Sequence, residues 1–88
     1  MSTAVNRRRL FLKVLSGSSN IRFSDVRALI EAFGFRLVRV SGSHHIFEHP
    51  NVRELVNIQE SNGQAKPYQI RQFLQIVDRY QLELGEDK

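Results

Sequence analysis

FRLVRVSGSHHIFEHPNVRELVNI, residues 35–58 of this 88-residue chain, decides the fold. It reads as three short strands joined by two tight turns. Residues 35–40 and 54–58 are rich in the β-branched and long apolar side chains that suit a pleated surface. Residues 44–48 carry a histidine pair, an isoleucine, a phenylalanine and a glutamate between them. Ser41-Gly42-Ser43 makes the first turn and His49-Pro50-Asn51 the second. Pro50 has no N–H to give to a ladder and so belongs in the turn. Connections this short join antiparallel neighbours, so the segment is expected to form a three-stranded meander.

Working outward, the strongest helix pattern lies just upstream. Ser24 reads as its N-cap and Asp25 sits in the first turn, where the helix dipole favours a negative charge. Val26, Leu29, Ile30 and Phe33 follow at i, i+3, i+4 and i+7, and Gly34 is placed to end the helix in a left-handed conformation. Downstream, residues 61–63 break the chain and Pro67 opens a last helix running to about Tyr80. Its stripe of Ile70, Phe73, Leu74 and Val77 repeats the spacing of the first. A shorter helix over residues 6–15 would place Leu10, Phe11, Val14 and Leu15 on one side, with a loop at 16–20. Residues 1–5 read as frayed. The order helix, helix, three strands, helix (α-α-β-β-β-α) is an α+β architecture. A three-stranded antiparallel sheet with helices on one face is the arrangement of a double-stranded-RNA-binding domain.

The size allows one domain with a modest core. The chain divides into an extension at 1–21, the main domain at 22–82 and an acidic tail at 83–88. The formal net charge is +4, and it is unevenly spread. Residues 1–39 balance at +6, residues 40–82 at zero and residues 83–88 at −2. A basic first half suits a polyanion such as nucleic acid, although a solvated basic surface gives the same count. With no cysteine there is no disulfide or thiolate chemistry, as in a reducing cytoplasm. No apolar run reaches the length of a membrane span, and Lys13 interrupts the short run Leu10-Phe11-Leu12 too early for a signal peptide.

His44, His45 and His49 are the candidate reactive groups, since an imidazole exchanges a proton near neutral pH. Strand alternation puts His45 and Phe47 on one face and His44, Ile46 and Glu48 on the other. If Phe47 enters the core, His45 turns toward the helices and His44 toward solvent; Ile46 would also suit a core position. Adjacent strand residues point apart, so His44 and His45 are poorly placed to share a metal ion, and no metal or cofactor is expected. Glu48 lies roughly 13 Å along the strand from His44, too far for direct contact. The bland alternatives are a polar strand end or, for His49, a structural ring satisfied by a backbone carbonyl.

The run Gly42-Ser43-His44-His45-Ile46-Phe47-Glu48-His49-Pro50 resembles the signature of the HicA (YcfA-like) toxins, the small mRNA interferases of HicA–HicB toxin–antitoxin systems. The helix ending at Gly34, the strand that follows it and the Lys66-Pro67 opening of the last helix also match. The resemblance covers about residues 22–80. Two features depart from it: residues 1–21 add a helix that the shortest members lack, and residues 57–66 are rich in Gln, Ser and Gly where many members have a basic or histidine-bearing stretch.

The resemblance implies a double-stranded-RNA-binding-like fold and a metal-independent ribonuclease acting on mRNA in the cytoplasm. It further implies neutralisation by a HicB-type antitoxin. The family's catalytic histidine carries over to His44, with His45 as the fallback. The RNA 2′-hydroxyl, or water, would attack the adjacent phosphorus with His44 as general base or acid. Arg36, Arg39 and Lys66 are the nearest candidates to hold phosphate. The rival reading is a non-catalytic RNA-binding or protein-interaction module of the same fold.

Overall fold

The computed structural model describes residues 7–17 and 21–85. Expectations for residues 1–6, 18–20 and 86–88 lie outside these described residues. Helices α2 (Phe23–Ala32) and α3 (Pro67–Arg79) pack against an antiparallel sheet of order β1-β2-β3-β4, and α1 (Arg7–Leu15) packs on α2. Its strands are β1 (Arg36–Ser41), β2 (His44–His49), β3 (Val52–Ser61) and β4 (Gln64–Ala65). No described helix is long and apolar enough to cross a membrane.

The meander and both long helices form as expected, with one addition. β3 runs on to Ser61 and folds back as β4, pairing Glu60 with Ala65 and Ser61 with Gln64. Residues 57–66 are therefore mostly sheet rather than a connector. The two-residue loop explains it: Asn62 and Gly63 have φ of 54° and 78°. Positive φ at both central positions is what a tight type I′ hairpin requires, and Asn-Gly is its best sequence. Weak strand preference in the Gln- and Ser-rich stretch hid the pairing.

The start of α2 also differs. Arg22, in extended conformation and without a side-chain cap bond, holds the cap position, so Ser24 already lies inside the helix. Tertiary contacts fix this start instead. Phe23 is buried and its N–H donates to the Gly63 carbonyl at 2.9 Å. Asp25 does sit in the first turn, and Gly34 ends the helix with φ +98°.

Phe47 is completely buried and belongs to the same core cluster as both helix stripes. Val26, Leu29, Ile30 and Phe33 of α2 and its C-terminal boundary meet Ile70, Phe73 and Val77 of α3 in one cluster, with Leu74 packed at its margin. Edge-on aromatic pairs at 5.7 Å tie Phe73 to both Phe33 and Phe35. Through Leu10 and Val14, α1 joins the same core, while Leu15 at its last position stays exposed. The chain after α3 packs back: Leu82 and Leu84 lie on the core and the Gly85 N–H donates to the Ala32 carbonyl.

Gly34 is the glycine on which the α2–β1 turn depends. A Cβ there would stand 3.0 Å from Nε2 of His49 while the backbone held a strained φ. Gly34→Ala is therefore expected to cost about 1–3 kcal/mol. Urea unfolding should show a lower midpoint at an unchanged slope; a wild-type midpoint would mean that the turn relaxes at no cost.

Candidate active site

The open face of the sheet is assembled by register. Ser41 pairs with His44, Arg39 with Ile46 and Arg36 with Glu48 across β1–β2; Gln59 pairs with His44 and Asn57 with Ile46 across β2–β3. Directly paired residues share a face. His44 therefore sits among Ser41, Ile46, Asn57 and Gln59, with Arg39 diagonally across. His45 and Phe47 occupy the other face, opposite Ile58 and Val56.

Two backbone devices set up this patch. Gly42 and Ser43 form the two-residue loop between β1 and β2, with φ positive at Gly42 and not at Ser43. Glycine at the first central position suits a type II′ hairpin, and it fixes His44 as the first residue of β2. The second device is a register shift between Leu37 and Arg39. Strict alternation would send Arg36 and Arg39 to opposite faces. The extra residue, Val38, returns Arg39 to the face that holds His44.

The three histidines have different surroundings. His44 is half-buried, and its Nδ1 lies 3.3 Å from Oδ1 of Asn57. A carbonyl oxygen can only accept, so Nδ1 carries the proton in this contact and a neutral ring has its lone pair on Nε2. His45 stacks on Phe23 of α2 with centroids 4.4 Å apart, and its Nδ1–H donates to the Ser43 carbonyl at 3.2 Å. His49 packs edge-on against Phe35 at 5.0 Å. It is a structural ring, but its Nδ1 accepts from the Asn51 N–H at 3.0 Å rather than donating to a carbonyl. Among the described residues no three His, Asp or Glu side chains are grouped to hold a metal ion.

The cation candidates separate in the same way. Arg36 lies on the open face but at the far end from His44, and donates through Nε and Nη2 to Oε2 of Glu48 at 3.0 and 2.8 Å. Among the described residues Arg39 has no acidic partner. Lys66 lies between β4 and α3 with extended backbone; continued one step past Glu60–Ala65, the β3–β4 register brings it opposite Gln59, the residue that pairs with His44. Sequence reading missed Asn57, Ser41 and Gln59. Asn57 becomes visible only once β3 is extended and alternation is applied along it.

The arrangement offers an oriented imidazole, an unpaired guanidinium one diagonal away, the Ser41 hydroxyl on the guanidinium's side and the Asn57 and Gln59 amides on the other. A model of the HicA toxin of bacterial toxin–antitoxin systems matches residues 23–78, a span that includes all of β1, β2 and β3. No curated protein and no solved structure gives a significant match.

Proposed function

The chain belongs to the HicA toxin family of bacterial toxin–antitoxin systems, and on that footing we propose that it is a metal-independent ribonuclease whose catalytic residue is His44. The observation that carries this reading is the bond from Nδ1 of His44 to Asn57, which leaves the lone pair of the neutral ring on Nε2. In the proposed step Nε2 removes the proton from a ribose 2′-hydroxyl. The 2′ oxygen attacks the adjacent phosphorus, the P–O5′ bond breaks, and the leaving O5′ takes a proton from solvent. The products are a 2′,3′-cyclic phosphate and a 5′-hydroxyl end. Arg39 binds the non-bridging phosphate oxygens and stabilises the charge that builds there. Asn57 holds the ring in the required tautomer.

Cleavage of a labelled mRNA in excess EDTA tests the reading. Cutting should persist, and a 2′-deoxy substitution at the cut site should abolish it. Cutting of the deoxy substrate would assign the attack to water. RNA binding without any cutting would establish a binding module in place of an enzyme.

The arginines give a second test. Arg39→Ala should weaken RNA binding and reduce the salt dependence by about one phosphate contact. Arg36→Ala should do less, because Glu48 already balances its charge. The reverse order would place the phosphate at the other end of the sheet.

The partner proposed for this chain is an acidic HicB-type antitoxin that covers His44 and Arg39. A specific complex of this kind buries on the order of 1,200–2,000 Å² in total. Complementary charge makes its association salt-sensitive.

A further inference from the structure

A second feature lies across β3 from His44. β4 pairs with β3 only at Glu60 and Ser61, so no described strand covers the rest of that edge. α3 runs beside it and leaves a groove of about 230 Å³. The groove's floor includes Val56, Phe73 and Ile76, and its outer rim Leu55.

The hydrogen-bonding pattern along this edge is regular from Val56 to Ser61; below it the β2–β3 register shifts between Phe47 and His49, opposite residues 53–55. The Glu60 N–H donates to the Ser43 carbonyl on the β2 side, so the odd-numbered residues turn their backbone groups the other way. At two of these positions side chains of α3 and of its C-cap residue already act as acceptors. Gln69 Oε1 takes the Gln59 N–H at 2.7 Å, and the Tyr80 hydroxyl oxygen takes the Arg53 N–H at 3.4 Å. Between these plugs Leu55 and Asn57 line the groove, and at Asn57, two residues from Gln59 in the regular stretch, alternation turns the N–H and C=O outward. Gln72 and Gln75 continue the line of amides that Gln69 begins.

We propose that this groove takes an extended segment of the antitoxin, added to the sheet as a strand beside β3 in line with β4. Backbone donors and acceptors repeated along a line fit a strand, and α3 supplies amides for its outer edge. One face of the added strand would place apolar side chains over Phe73 and Ile76. The only charged pair in the groove, Glu54 with Arg79, is internally balanced, which does not attract a polyanion. The occupant is the antitoxin, the protein partner that a toxin of a toxin–antitoxin system implies. The other free edge, β1, carries Arg36 and Arg39, and charged side chains on an edge discourage strand addition. The added strand would also lie against Asn57, so antitoxin binding would reach the residue that holds His44. This inference rests on the toxin–antitoxin reading above.

Amide hydrogen exchange tests it on the full chain, alone and with a co-expressed HicB-type antitoxin. The Asn57 backbone amide should exchange quickly in the free protein and slow by at least roughly tenfold in the complex. Gln72→Trp, an exposed helix substitution that fills the groove, should weaken the complex roughly tenfold or more while RNA cleavage stays at the wild-type rate. A complex that leaves this amide fast and tolerates Gln72→Trp overturns the strand addition but leaves the antitoxin pairing intact. Failure of the wild-type chain to form any complex overturns both, and the cleavage assay reports separately on the ribonuclease. Protection of the same amide by an RNA oligonucleotide but not by the antitoxin would reassign the groove to substrate.

Discussion

His44→Ala should slow RNA cleavage roughly 10²–10⁴-fold, the usual contribution of a general acid or base. The melt should change little, because the ring is half-buried on the open face and its side-chain bond is to an exposed Asn57. RNA binding should survive, since arginine and lysine charges supply most of the attraction to phosphates. His45→Ala makes the contrast. That ring stacks on Phe23 and bonds the Ser43 carbonyl, so its loss should lower the melting temperature more than it lowers the rate per folded molecule. Asn57→Ala tests the orienting bond: it should reduce kcat, leave RNA binding near wild type and add little to the loss already caused by His44→Ala. Unchanged cleavage in His44→Ala would remove the catalytic assignment. Activity lost only in His45→Ala, with a normal melt, would move it one residue along.

The sequence showed the elements with local signatures. Two amphipathic stripes at helical spacing, a glycine after α2 and a proline opening α3 mark both long helices. Alternation in His44–Phe47 gave the right faces because Phe47, the larger apolar side chain, took the core. What stayed hidden depends on partners distant in sequence. The bulge at Val38 is set by pairing with β2, and without it the position of Arg39 beside His44 cannot be deduced. The α2 start is fixed by Gly63, forty residues away, so a good capping residue at Ser24 was misleading. The bond between His44 and Asn57 joins two strands whose register no local pattern records. Arg36 looked as good a phosphate ligand as Arg39 until Glu48 was found opposite it.

Phe47→Ala should be the most destabilising of these substitutions. The side chain is fully buried, and its strand neighbours across the sheet are Leu37 and Val56. Removing a phenylalanine from such a site typically costs about 3–5 kcal/mol, through lost transfer energy and the cavity left behind. That is a large share of the roughly 5–15 kcal/mol that holds an ordinary domain together, so much of the variant should be unfolded at physiological temperature. Ile46→Ala removes a side chain of similar kind one residue away, on the open face between Arg39 and Asn57. It should cost much less, because no helix covers it. The pair tests the register of β2 directly, since a slip of one residue exchanges the two faces along the whole strand. Urea titrations of both variants at one temperature would decide the matter. Near-equal losses, or a greater loss for Ile46→Ala, would mean that the sheet is turned over, and His45 rather than His44 would then face the RNA.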